Sequence, residues 1–239
     1  VVRFAIELGF SGYPSLQKSL QELIKNKLTT VQRLDLSNDY ICNGYTLKGV
    51  LKADMENIRA TMEKINYSTF EDVVNNIFEA KRIYIVGLRS SMALAEFLGF
   101  YLNVILQNVK TVGYGISDIF EEMINVGEGD LVIGIGFPRY ANRTIDVLSF
   151  AQDRGATVVA LTDSIVSPLA QRADYALIAQ SNMASFVDSL VAPLSVINAL
   201  IIAVGLRQKE SVSTTFNSLE EIWKEYNVYS YNHNNDDEF

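Results

Sequence analysis

Three short segments gather the residue types that bind anions. Gly87-Leu88-Arg89-Ser90-Ser91-Met92-Ala93 lies between an apolar run and a helical pattern. Gly87 permits a tight turn there. Ser90 and Ser91 set hydroxyls beside the free amides of a helix start, and Arg89 adds a guanidinium, which together suit a phosphate or another anion. The same residues also fit a simpler role, with Ser90 capping the helix. In the second segment, Gly136-Phe137-Pro138-Arg139-Tyr140-Ala141-Asn142-Arg143-Thr144, two arginines and a tyrosine follow another apolar run. An arginine–tyrosine pair in such a place faces a ligand or forms a plain surface turn. The third, Thr162-Asp163-Ser164-Ile165-Val166-Ser167-Pro168, offers Asp163 and Ser164 as helix caps, with a ligand contact as the other role for Asp163.

Several familiar chemistries find no residues to carry them. His233 is the only histidine and lies near the C-terminus, so a histidine general base is not expected. One cysteine, Cys42, and one histidine cannot build a structural zinc site or an internal disulfide. The Gly87 segment lacks the G-x-G-x-x-G pattern of dinucleotide sites and the Gly-Lys-Ser/Thr of a P-loop. No Gly-x-Ser-x-Gly elbow occurs. Glu96, Glu121 and Glu122 read as solvated helix faces. Neither metal, cofactor nor catalytic residue is therefore expected.

The elements that must position these loops alternate along the chain. Apolar runs at 82–86, 110–113, 130–136, 155–161 and 174–178 read as strands, and helical periods cover 90–106, 116–125, 141–154, 168–172 and 187–206. Non-alternating apolar strands between amphipathic helices predict a doubly wound, five-stranded parallel sheet covered on both faces, a three-layer α/β domain. In such a sheet ligands bind beyond the carboxyl ends of the strands, where all three loops fall. Two further helices precede the sheet, from Leu47 to Ile65 and from Ser68 to Ala80, the latter opened by a Ser68–Glu71 capping box. At the start, residues 1–8 read as the end of a helix stopped by Gly9, with a turn and a second helix from Ser15 to Ile24 after it.

Domain limits follow: an incomplete N-terminal helical segment at 1–28, a linker at 29–46, the α/β domain at 47–227 and a frayed tail at 228–239. The chain of 239 residues is 49% hydrophobic, which excludes disorder throughout. Its net charge of −8 argues against wrapping nucleic acid with the whole surface. Residues 1–33, however, hold five basic side chains against two acidic ones, a net +3, leaving −11 for the rest. A small basic head on an acidic body suggests two tasks. The apolar stretch Val187–Leu206 carries Asp188, Pro193, Ser195 and Asn198, so it reads as a buried or subunit-interface helix and not as a membrane span. The N-terminus lacks the features of a secretory signal, and a lone cysteine fits a reducing cytoplasm.

From about Leu47 to Leu206 the order of elements resembles a sugar isomerase (SIS) domain. The opening VVRFAIELGFSGYPSLQKSL resembles the end of the helix–turn–helix domain of RpiR-family bacterial transcriptional regulators. That resemblance implies a DNA-binding domain that begins some tens of residues before Val1, with Arg3 on its recognition helix. It also implies an SIS domain that senses a phosphosugar or a related anionic sugar metabolite, in a homodimer or homotetramer. Carried onto this sequence, it places Ser90 and Ser91, with Gly87 and Arg89, on the loop that holds the sugar or its phosphate. Many SIS domains have Ser-x-Ser-Gly-x-Thr in the second loop. Here the three hydroxyl positions are Gly136, Pro138 and Ala141, and Phe137, Arg139 and Tyr140 stand among them. Arg139 restores anion binding by a bidentate contact, with a carboxylate as acceptable as a phosphate. Asp163 completes the expected ligand set. A sugar-phosphate isomerase is the alternative that the same domain implies.

Overall fold

The structure, a computed structural model, describes residues 2–9, 11–13, 16, 28–34, 46–113, 115, 118–183 and 185–230. Five strands, β1 (Ile83–Gly87), β2 (Val109–Val112), β3 (Leu131–Ile135), β4 (Thr157–Thr162) and β5 (Tyr175–Ile178), form one sheet. All pair in parallel, in the order β2-β1-β3-β4-β5. The five-stranded α/β expectation therefore holds. β1 and β3 are buried along their whole length, which their runs of Val, Ile and Leu allow because neither face meets water.

Before the sheet come α1 (Val2–Glu7), α2 (Thr46–Lys64) and α3 (Tyr67–Glu79). Between and after the strands come α4 (Met92–Leu106), α5 (Ile119–Glu122), α6 (Asn142–Asp153), α7 (Val191–Arg207) and α8 (Lys209–Glu225). Side chains alternate across the strands to fill two cores. Ile83, Ile85, Ile133 and Leu161 meet α3, α4 and α7 on one face. Tyr84, Val86, Val132 and Ala160 meet α5 and α6 on the other. The result is three layers. At the amino ends of β1 and β3, Arg82 fastens the sheet by donating to both carboxylate oxygens of buried Asp130, at 3.1 and 2.8 Å.

β1 sits at the point where the winding reverses, since β2 lies to one side of it and β3, β4 and β5 to the other. Parallel α/β sheets open their ligand crevice at such a switch point. Gly87 pairs in register with Ile135, so the loops after β1 and β3 leave the sheet at one level.

Several local expectations change. α3 is capped by Asn66, whose side chain accepts from the Thr69 amide at 3.1 Å, and not by a Ser68–Glu71 box. The chain is already extended at Asn66, so its side chain reaches the free amide first, and Ser68 falls inside the helix. α7 starts at Val191, with bends at 185–187 in place of the helix expected from Val187. α8 occupies 209–225, a stretch for which the sequence reading placed no element. It packs against α4 and α7. Residues 30–34, inside the expected linker, form a helical turn. The second N-terminal helix expected at 15–24 lies outside the described residues except for Leu16, as does the tail from 231 onward. No single helix among the described residues is long and apolar enough to cross a membrane.

Candidate functional site

Local sequence sets the floor of the crevice. β1 ends at Gly87, where an added Cβ would lie 2.6 Å from the Ser91 carbonyl oxygen, closer than real contacts allow. Only glycine lets the chain turn back here, and the turn continues as a 3-10 helix, Arg89–Ser91. Neither residue 90 nor residue 91 spends its hydroxyl on capping: Ser91 stands at the N-cap of α4 without a side-chain cap bond. After β3 the chain passes Gly136 and the buried ring of Phe137 before reaching Arg139. Arg89 at φ 58° and Arg139 at φ 67° both adopt the left-handed backbone. That conformation costs an arginine about 1–2 kcal/mol and gathers at functional sites.

Between these loops lies a cleft of about 480 Å³. Its walls bring together Arg89, Ser90, Ser91, Phe137, Arg139 and Tyr140, six of the expected residues. Gly87 shapes the turn beneath without lining the cleft. Asp163 does not line it either: it stands behind Tyr140, whose hydroxyl donates to Asp163 Oδ1 at 2.7 Å. Burial, with that hydrogen bond, pushes the Tyr140 hydroxyl well above the usual tyrosine range, so it remains a proton donor. The capping work expected of Asp163 falls to Ser167, whose Oγ accepts from the Ala170 amide at 3.1 Å, while Ser164 Oγ accepts from Val166 at 3.3 Å. Arg3 is exposed on α1.

The wall also contains Thr30, Arg33, Asn142, Thr144, Phe186 and Asp188, none of which the sequence reading selected. Arg33 is 4% exposed and forms an ion pair with Asp188 at 3.5 Å. Burial pulls the Arg33 guanidinium below its ordinary range, against the pull of Asp188. Burial likewise raises Asp188, against the pull of Arg33 and Arg139. Arg139 Nη1 donates to Thr30 Oγ1 at 2.7 Å. One signal for this turn lies in the sequence: Thr29-x-x-Gln32 is a capping-box pattern, and the structure realises it.

The loop that carries Phe186 and Asp188 is held by α2. Asn57 donates to the Asn182 carbonyl at 2.9 Å and accepts from its amide at 3.2 Å. Ser189 donates to Asp54 Oδ1 at 2.6 Å. Three arginines thus meet one carboxylate around a cleft that also offers hydroxyls, an arrangement able to hold a negatively charged group. Among the described residues no group of three or more His, Cys, Asp or Glu side chains could hold a metal.

The SIS domain profile matches residues 76–203, which includes both loops. An uncharacterized HTH-type transcriptional regulator of Haemophilus influenzae is 28% identical over 183 residues, covering 74% of this chain and 62% of its own. The regulator HexR of Escherichia coli is 25% identical over 235 residues, covering 94% and 78%. The chain spans 62% and 63% of the lengths of the Haemophilus relative and of a Clostridium perfringens regulator, a little over three fifths. Among solved structures, the sugar isomerase domain of an RpiR transcription factor from Sphaerobacter thermophilus aligns with a TM-score of 0.71 at 30% identity, covering 74% of this chain and 99% of that one. The NanR protein of Vibrio vulnificus, complexed with ManNAc-6P, aligns with a TM-score of 0.64 at 18% identity over 95% and 80% of the two chains, a likeness of fold. By the domain profile and by its 30% identity to that RpiR factor, this chain belongs to the SIS-domain family, in its RpiR branch of transcription factors.

Proposed function

We propose that this chain is the effector-sensing part of a bacterial transcriptional regulator. Its SIS domain takes a phosphosugar or a related anionic sugar metabolite between the Ser90–Ser91 loop and Arg139. Occupancy of the cleft alters how the N-terminal helices, Arg3 among them, engage DNA. The observation that carries this reading is the pairing of Arg89 and Arg139, both in left-handed backbone, across the switch point of the sheet. Strain held at two charged residues in one cleft is expected where charge must be aimed at a ligand. NanR is complexed with a hexosamine phosphate, ManNAc-6P, and a ligand of that chemistry suits this cleft.

The protein acts as a homodimer or homotetramer in the cytoplasm, without cofactor or metal. Support for assembly comes from α2, which buries Asn57 and Thr61 while Leu47, Leu51, Met55 and Met62 stay exposed. A helix that turns its apolar residues outward is ready for a partner subunit. The regulator reading stands ahead of an isomerase. Aldose–ketose conversion needs a base over the sugar, and the only carboxylate among the described residues of the cleft wall, Asp188, is tied to Arg33.

The test is a melting and calorimetric screen of the full chain against pentose and hexose phosphates and sugar acids. At least one should bind and raise the melting temperature, and Arg139→Ala should abolish the effect. No binding by any anionic sugar would sink the sensor reading. Aldose–ketose turnover by the purified chain would replace it with the isomerase.

A further inference from the structure

Residues 29–34 lie outside the stretch that the SIS profile matches, yet two of their side chains form part of the cleft wall. Their local structure is written in the sequence. Thr29 N–H donates to Gln32 Oε1 at 2.9 Å and Gln32 N–H donates to Thr29 Oγ1 at 3.3 Å, a reciprocal cap that starts a helical turn. Two contacts among the described residues then fasten the turn to the cleft. Arg33 pairs with Asp188 at 3.5 Å, and Thr30 Oγ1 accepts from Arg139 Nη1 at 2.7 Å.

The second contact engages the same guanidinium that the sensor reading assigns to the ligand. An arginine grips a phosphate or carboxylate best with two parallel N–H groups. While Nη1 donates to Thr30, one of its two N–H groups is already engaged. We propose that the 29–34 turn is a strap across the cleft, in which the Thr30 hydroxyl holds the seat on Arg139 that an anionic oxygen of a sugar phosphate takes, so that ligand binding lifts the strap. This inference rests on the sensor reading of the same cleft. The strap lies on the chain between α1 and α2. Its release therefore gives the cleft a direct line to the N-terminal helix. Because such coupling is reciprocal, weakening the strap must strengthen the ligand.

Inorganic phosphate serves as the probe, titrated into the full chain by calorimetry, with hydrogen exchange read over residues 28–34. Thr30→Val keeps the shape of an exposed side chain and removes the acceptor. The expected result is phosphate binding about two- to fivefold tighter in Thr30→Val than in the parent, from loss of one exposed charge-assisted hydrogen bond. Saturating phosphate should also speed exchange at 28–34 in the parent, and Arg139→Ala should bind no phosphate. Equal or weaker binding by Thr30→Val, or unchanged exchange at 28–34, overturns the strap while leaving the sensor reading intact, provided Arg139→Ala still loses the probe. If the parent binds neither phosphate nor any anionic sugar, the sensor reading fails and takes the strap with it.

Discussion

Arg89 and Arg139 hold the same left-handed backbone conformation, φ 58° and φ 67°, in the loops that follow two neighbouring parallel strands. Arginine does not favour that region, so each site holds its guanidinium at a cost in backbone strain. Arg89→Gly removes the steric cost, and glycine's extra chain entropy offsets part of the gain. The chain should become more stable by about 0.5–1 kcal/mol, a rise of about 1–4 °C in melting temperature for a domain of this size. Its affinity for an anionic sugar should fall together with that gain. A variant that loses both stability and binding would show that Arg89 is held by packing and not strained for function.

Tyr140 and Asp163 form the support behind the second loop, through a hydrogen bond of 2.7 Å. Tyr140→Phe leaves the half-buried Asp163 without that donor. The expected loss is about 1–2 kcal/mol, or about 2–8 °C in melting temperature. Since the Tyr140 hydroxyl is pushed up by burial, it donates at every ordinary pH, and the loss should be the same at pH ~6 and pH ~9. A stability difference that vanishes at the higher pH would contradict this.

Much of the sheet was legible because its signal is local. Each strand falls within about two residues of the run that announces it, most plainly β1, β3 and β4, which are buried nearly throughout and so must be apolar along their length. The loops beyond the carboxyl ends of the strands follow from the alternation of strands and helices, so Ser90, Ser91 and Arg139 could be named before any contact was known. Other features depended on contacts far apart in the chain. Asp188 was read as part of a helix from Val187, yet the chain bends at 185–187 because Asn57 and Asp54 of α2 hold the residues around it. Thr30 and Arg33 matter only because the fold brings them across the cleft to partners more than a hundred residues away. α8 lies on α4 and α7 and none of its described side chains is buried, so its sequence carries a weaker apolar signal than the strands do.

Gly87 tests whether the first loop is as tightly built as its geometry implies. An alanine there would press its Cβ against the Ser91 carbonyl at 2.6 Å and against Ala95 Cβ at 3.0 Å. Backbone cannot swing aside as a side chain does, so the loop itself must move. Gly87→Ala should cost about 1–3 kcal/mol. It should also weaken sugar-phosphate binding, because Ser90 and Ser91 move with the loop. Thermal melts and calorimetry on the same preparation separate the two effects. Intact binding at parental melting temperature would mean the turn has slack.

Asp188 gives a prediction about pH. Burial raises its carboxyl above the ordinary value in spite of Arg33, so the folded chain holds that proton more tightly than the unfolded chain does. For an acid shifted in that direction, the contribution to stability is full below the unfolded value, about 3.9. It is then lost as pH rises through the folded value. Asp188→Asn has no such proton. The stability of the parent relative to Asp188→Asn should therefore be greatest near pH ~3.5 and should decline toward pH ~7. Removing the charge also leaves buried Arg33 with a neutral partner, which draws the strap less firmly to the cleft. Hydrogen exchange at residues 28–34 should accordingly be faster in Asp188→Asn than in the parent at pH ~7, and the two should converge as pH falls and Asp188 takes up its proton. A relative stability that climbs with pH would mean that the attraction of Arg33 outweighs the desolvation of Asp188.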